Sequence, residues 1–401
     1  LSRIYGLGGK DFYDKDAEEF FHEALQAAEK GRVDIPFEYH GAYAGDPTEH
    51  PPKGLPAIKS EEVSRGMAKV TQHPETKRLE VELKPLWEMT TVPSRIAPGH
   101  GACPGCGVFP MLRQAYSVLE GNIVVLFQTG CAMVTTTGYP KTAHRITYIH
   151  NLFQNGAATL SGLVEMYHER VRRGEIPASP EGEDTTFIMV TGDGGMDIGM
   201  GAALGTAHRN HKMIILEYDN QGYMNTGSQL SYSTPFAHRT STSEVGTARS
   251  GKRFHHKDTP QIFAACNLPY VFTASEGYPE DFMRKITKAQ WYAQREGMVY
   301  GKVLSFCPLN WRTPDDAAQE VLQAAIDSCF FPLYEVEKGH TTITYDPDAI
   351  GRRRKVSDWL SKMGKTKHIL APEHSDQLEA TEQEVNKRWQ RLKIKSEHPE
   401  L

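Results

Sequence analysis

The chain has 401 residues, 39% of them apolar, with 45 Lys and Arg against 50 Asp and Glu and a formal net charge of -5. That length suits one large α/β core with extensions, or two domains. The charge balance leaves no nucleic-acid footprint, no run approaches the roughly 20 apolar residues of a membrane helix, and six cysteines are too few for a disulfide scaffold. No secretory pattern opens the sequence, so a cytoplasmic protein is expected.

In chain order, residues 1–85 read as a charged arm with Pro-rich and Gly-rich stretches and one amphipathic helix over 17–29. Near its start, Tyr5-Gly6-Leu7-Gly8-Gly9-Lys10-Asp11 is glycine-rich. Strands and helices then alternate over 86–340. Short apolar runs predict strands over 122–128, 186–191, 213–218, 270–273 and 299–306. Helical spacing predicts helices over 157–173, 197–209, 259–266, 279–294 and 314–328. This alternation predicts an α/β fold, a doubly wound and mostly parallel sheet. The segment 341–401 is polar and helical in pattern. From 351 it holds 12 Lys and Arg against 8 Asp and Glu, and it reads as a solvated or partner-bound extension.

The chemistry concentrates where the predicted strands end. Gly192-Asp193-Gly194-Gly195 closes one strand, and Asn220 follows the next, with 25 residues between Gly194 and Asn220. Parallel sheets bind ligands at the carboxyl ends of their strands. A carboxylate and an amide oxygen side by side there suit a hard divalent cation that also takes phosphate oxygens, and the glycines let the backbone approach a diphosphate. The thiols follow the same logic. Cys131 and Cys307 each follow a predicted strand, and Cys103-Pro104-Gly105-Cys106 forms a turn in a loop. Four such thiolates suit tetrahedral zinc or an iron–sulfur cluster. Cys266 and Cys329 sit in apolar runs and read as buried cysteines.

The spacing from Gly-Asp-Gly to Asn resembles the thiamine-diphosphate motif. Five segments in order extend that resemblance: His100 to Gly107 with its Cys-x-Gly-Cys-Gly, Thr129-Gly130-Cys131, Gly192-Asp193-Gly194, Asn220 to Gln229, and Cys307-Pro308. Together they are similar to the thiamine-diphosphate-binding (beta) subunits of the 2-oxoacid:ferredoxin oxidoreductases, the pyruvate synthase type. The segment Tyr5–Asp11 is weakly similar to one near the end of a partner subunit in that family.

The resemblance implies a division of labour. Asp193, Asn220 and the carbonyl of Gly222 would hold Mg2+ on the diphosphate. Gly192, Gly194, Gly195, Tyr223, Asn225, Thr226 and Cys131 would surround thiamine diphosphate. Cys103, Cys106, Cys131 and Cys307 would bind a [4Fe-4S] cluster. Asn225 and His150 are the catalytic candidates, with His100 a further charge-stabilising one. The implied reaction is oxidative decarboxylation of a small 2-oxoacid, with transfer of the acyl group to coenzyme A. The Glu that activates the aminopyrimidine would come from a pyrimidine-binding alpha subunit, because only one α/β core is readable here. A ferredoxin-like iron–sulfur subunit would carry electrons away, because this chain lacks a ferredoxin cysteine run. Gln154 stands where the family has Glu, and 142–149 departs from the family's tryptophan-rich lead-in. These departures raise an aryl 2-oxoacid such as phenylglyoxylate beside pyruvate. The competing readings are a zinc-stabilised scaffold without catalysis and a thiamine decarboxylase without redox output.

Overall fold

The computed structural model describes residues 67–138, 142–177 and 185–398. The helix expected over 17–29 and the Tyr5–Asp11 segment lie outside them.

The first described element is a hairpin, β1 (Ala68–Gln72) and β2 (Leu79–Leu83), closed by a turn with Lys77 at φ 57°. Then come helix α1 (Val108–Val118), strand β3 (Ile123–Gln128), the single turn α2 (Cys131–Val134) and strand β4 (Thr147–Asn151). Helix α3 (Gly156–Arg172), β5 (Thr186–Gly192), α4 (Asp193–Arg209) and β6 (Ile214–Asp219) form the central crossover units. A two-residue ladder, β7 (Val245–Gly246) with β8 (Arg249–Ser250), interrupts the loop that follows. The chain continues through α5 (Thr259–Ala264), β9 (Tyr270–Ser275), α6 (Pro279–Arg295), β10 (Val299–Leu304), the short α7 (Pro308–Trp311) and α8 (Ala318–Asp327). Strands β11 (Leu333–Glu337) and β12 (His340–Tyr345) and helices α9 (Val356–Ser361) and α10 (Ser375–Glu397) complete it.

Eight strands form one sheet in the order β12-β11-β9-β10-β6-β5-β3-β4. The six from β9 to β4 run parallel, and β11 is antiparallel to both of its neighbours. Side-chain alternation splits the core between the two faces. Ile188 and Val190 of β5 pack with α1 and α6 on one face. Phe187 and Met189 of the same strand pack with α3, α4 and α8 on the other. Both faces are therefore covered by helices, and the α/β expectation holds.

Two expectations about the flanks change. The end of the segment read as an arm contains the hairpin, which is pinned to the sheet where Leu79 N donates to Glu337 Oε1 at 2.7 Å. The division placed between 340 and 341 falls inside β12, so the C-terminal segment supplies a sheet strand. Its helices also enter the core. Trp359 has no solvent exposure and stacks on Phe330 at 3.9 Å, while Val385, Trp389 and Leu392 form a single buried stripe along α10. Such a stripe, spaced at i, i+4 and i+7 in an otherwise polar helix, is enough to dock it. Helices α1 and strands β4, β11 and β12 were not expected from local patterning.

Trp359→Ala removes a fully buried indole and should cost about 3–5 kcal/mol, read as a lower urea midpoint for the purified chain. An unchanged midpoint would mean that the C-terminal segment is not part of the cooperative core.

Candidate functional site

Strands β3, β5, β6, β10 and β9 end level with one another. Register pairs Phe127 with Val190, Gly192 with Tyr218, Asp219 with Leu304, and Leu304 with Ser275. The residues just past these ends therefore share one rim: Cys131, Asp193, Asn220, Cys307 and Glu276. From β3 the chain moves outward to β4, whereas β5 and β6 lie on the other side of β3. The crossovers diverge there, and a crevice opens at such a switch point.

A cavity of about 160 Å3 fills that crevice. Thr129, Gly130, Cys131, Phe153, the run Gly192 to Gly195, Tyr218, Asn220 and the segment Gly222 to Thr226 line it. Gly192, Asp193, Gly194, Gly195, Asn220, Gly222, Tyr223, Asn225, Thr226 and Cys131 are thus brought to one place. A Cβ on Gly194 would lie 2.5 Å from the Tyr223 ring, so the floor requires glycine there.

Helix α4 begins at Asp193, four residues earlier than the periodicity predicts, which puts the carboxylate in the first turn at the positive end of the helix. Asp193 is 1% exposed. Ser231 Oγ donates to its Oδ2, and Lys257 Nζ donates to its main-chain carbonyl at 2.9 Å. Burial, with the Asp219 carboxylate second, still pushes its pKa well above the usual carboxylate range, against the pull of Lys257. A carboxylate so placed is a ready ligand for a cation.

The Asn220 side chain shows where one fits. One amide atom stands 3.0 Å from Asp193 Oδ1 and 3.1 Å from the Gly222 carbonyl oxygen. Taken as nitrogen, it donates to both. Taken as oxygen, it completes a set of three converging oxygens. Adjacent ligands of an octahedral Mg2+ at 2.0–2.1 Å stand about 2.9 Å apart, so each of these two spacings suits a pair of adjacent ligands of that ion. The assignment of an amide follows from its surroundings, and a metal selects the oxygen. The loop is held from behind: Trp311 Nε1 donates to the Asn220 carbonyl at 3.0 Å, and Lys365 Nζ donates to Gln221 Oε1 at 2.6 Å.

The thiols line the same rim. Cys131 starts α2, and Cys307 precedes α7. The Cys103–Cys106 turn closes through Cys106 N to Cys103 O at 3.1 Å, and Gly107 N donates to Phe306 O at 3.0 Å. Gly105 has φ +71°, and a Cβ there would lie 2.1 Å from Asp315 O, so only glycine lets this turn dock. Burial pushes Cys106 and Cys131 up to about 12, and the neighbouring cysteines push further in the same direction. Burial raises Cys307 as well. All four thiols are within electrostatic range of one another. Among the described residues, no three His, Cys, Asp or Glu are grouped tightly enough for a single metal ion. Cluster ligands stand further apart than that, because each cysteine binds a different iron. An all-cysteine donor set gathered on one rim is compatible with such a cluster.

Two sequence candidates lie off the cavity. His150, exposed on β4, reaches only the Thr129 hydroxyl, at 3.0 Å from Nε2. His100 stacks on Phe109 with ring centroids 3.5 Å apart. Of the residues from 142 to 155, Phe153 alone lines the cavity. His144 is buried instead against Phe127 and Tyr148, so the altered lead-in packs the sheet edge. Sequence reasoning passed over Lys257, Trp311, Lys365 and Glu276. Only Glu276 carried a signal, since it lies just beyond a predicted strand.

Residues 129–300 match the model of the thiamine pyrophosphate enzyme C-terminal TPP-binding domain. The chain is 39% identical over 275 residues to pyruvate synthase subunit PorB of Methanocaldococcus jannaschii, covering 68% of this chain and 89% of that one. It is 37% identical over 303 residues to subunit PorB of Thermotoga maritima, covering 74% and 90%. This chain belongs to the thiamine-diphosphate-binding beta subunits of the 2-oxoacid:ferredoxin oxidoreductases. Within that family, it is also 31% identical over 297 residues to the ketoisovalerate oxidoreductase subunit VorB of Pyrococcus horikoshii, covering 74% and 91%. Among the described residues of this beta subunit, no helix is long and apolar enough to cross a membrane.

Burial holds His144 down at about 4. The unfolded chain binds the extra proton from about pH 6.5 downward, so stability falls as pH drops from about 6.5 to 4, by up to about 3 kcal/mol. His144→Phe keeps the ring stack and should remove this loss in denaturation curves taken across that range. An unchanged acid dependence would mean that the loss arises elsewhere.

Proposed function

We propose that this beta subunit carries the redox half of a thiamine site that oxidatively decarboxylates a small 2-oxoacid. The overall change is R–CO–COO− + CoA–SH → R–CO–S–CoA + CO2 + H+ + 2e−. The convergence of the Asp193–Asn220–Gly222 oxygens and the four-thiol rim at one switch point carries this reading. Bound thiamine diphosphate supplies the carbon nucleophile and electron sink of the decarboxylation.

The chain's own residues have distinct parts in this reading. Asp193, Asn220 and the Gly222 carbonyl hold Mg2+ and through it the diphosphate, while Gly194 and Gly195 let the backbone come close. Asn225, exposed at the cavity mouth, donates its amide to the developing oxyanion or the substrate carboxylate. His150 acts on the site through Thr129. Cys103, Cys106, Cys131 and Cys307 hold a [4Fe-4S] cluster, and the exposed Cys103 marks its side nearest solvent. Asp193 is the one carboxylate lining the cavity among the described residues, and it is committed to the cation. That supports a pyrimidine-activating Glu from an alpha subunit, with a ferredoxin-like subunit receiving the electrons. The altered stretch 142–149 lies outside the cavity, so it gives no ground for an aryl substrate over pyruvate or a branched 2-oxoacid.

The complex purified without oxygen should be brown and contain iron. A colourless complex with stoichiometric zinc would refute the cluster. Cys131→Ala should abolish acceptor reduction while leaving part of the exchange between CO2 and the 2-oxoacid carboxyl; retained reduction would take the electron path elsewhere, and a non-redox decarboxylase would show no reduction even in the wild type.

Gly194→Ala drives a methyl into the Tyr223 ring at a cost of about 1–3 kcal/mol, which should weaken thiamine diphosphate binding roughly 5- to 150-fold by calorimetry. Asp193→Ala should remove the Mg2+ dependence of that binding altogether. Binding that still required Mg2+ in the Asp193 variant would place the ion elsewhere.

A further inference from the structure

One buried carboxyl on the rim has no part in the reaction above. Glu276 is the first residue after β9, is 7% exposed, and stands among parallel strand ends, one strand beyond Cys307. Its Oε1 accepts from the backbone N of Phe306, the residue before Cys307, at 2.7 Å. The same oxygen lies against Gly107, the residue after Cys106: a Cβ there would be 2.0 Å from Oε1 and 2.6 Å from Phe306 N. Its main-chain carbonyl accepts from Gln114 Nε2 at 2.9 Å, which ties it to α1, the helix that the Cys103–Cys106 turn leads into. Its other carboxyl oxygen, Oε2, is buried without a hydrogen-bond partner.

We propose that Glu276 is a positioning residue for the cysteine rim: its carboxyl clamps the Cys106 loop onto the Cys307 loop and so sets the separation of two cluster ligands. The inference rests on the cluster reading above. Phe306 and Gly107 are already joined by one backbone hydrogen bond, and Glu276 closes the other side of that junction at Phe306 N. Without the carboxyl, a buried N–H next to a cluster ligand loses its acceptor, which costs the full desolvation of that group. Gly107 must be glycine because the clamp occupies the space a side chain would need.

The test uses the assembled complex, purified without oxygen, with wild type, Glu276→Gln, Glu276→Asp and Glu276→Ala compared. The readouts are the rate of cluster loss to a ferrous chelator and the cluster midpoint potential. Glutamine keeps an acceptor at the Oε1 position and should match wild type in both. Alanine lacks the acceptor and aspartate withdraws it by one methylene. Both should lose the cluster about 10- to 100-fold faster, and the cluster that remains should show a displaced potential. If alanine does not fold, aspartate carries the comparison. Wild-type retention and potential in the aspartate or alanine variant, or failure of glutamine to rescue, would overturn the clamp. A wild-type complex without iron would instead overturn the cluster reading on which it rests.

Discussion

A carboxylate held out of water next to another carboxylate is the constraint around which this site is organised. Asp193 has almost no solvent contact, and Asp219 stands near it. Isolated buried charge is strongly disfavoured, so the fold must either neutralise the group or neighbour it with positive charge. It does the second in part. The first turn of α4, Ser231 and Lys257 all lean on Asp193. They do not bring its pKa back to the usual range, so the carboxyl stays costly to ionise where it sits.

Supporting charge continues beneath the site. Lys302 lies 2.9 Å from Asp219 and 3.4 Å from Glu217, and Lys257 lies 3.7 Å from Glu217, all on strands or loops that converge under the rim. Glu217 is fully buried, and although burial alone would raise it, Lys257 and Lys302 outweigh that and hold it low. Removing one member of such a network strands its partner's charge in a low-dielectric interior, whereas the intact network is close to neutral in cost. The network therefore reads as a means of fixing the Asp219–Asn220 loop in one geometry rather than as a source of stability. Trp311 and Lys365 fix the same loop from the other side.

What the sequence showed and what it hid follow from one physical distinction. Apolar runs followed by glycine, aspartate, asparagine or cysteine are local signals, and a parallel sheet brings their ends to one rim by construction. Asp193, Asn220, Cys131 and Cys307 were legible for that reason. The docking of the Cys103–Cys106 turn depends on Gly105 meeting Asp315, more than 200 residues away in the chain, and no local pattern encodes such a contact. His150 is a site candidate by resemblance, and since its strand lies on the outer side of β3 it meets the cavity lining through the Thr129 hydroxyl. The C-terminal helix misled because three buried apolar residues in a 23-residue polar helix leave its average composition that of a solvated one.

Asp193, Asn220 and the thiols on neighbouring strand ends also fix how a cluster on the proposed ligands would face its surroundings. Cys131 lines the cavity itself, whereas Cys103 is exposed. A cluster held by both would touch the cavity on one side and solvent on the other. That separation depends on the Cys103–Cys106 loop being held down against β10 and α2, through Gly107 to Phe306 and Gly101 to Thr135 at 2.8 Å. The loop has little secondary structure of its own. Its position is set by those backbone bonds, by a glycine that admits Asp315, and by the carboxyl of Glu276. The placement of the thiols therefore resides less in the cysteines than in the close contacts that bring their loops together.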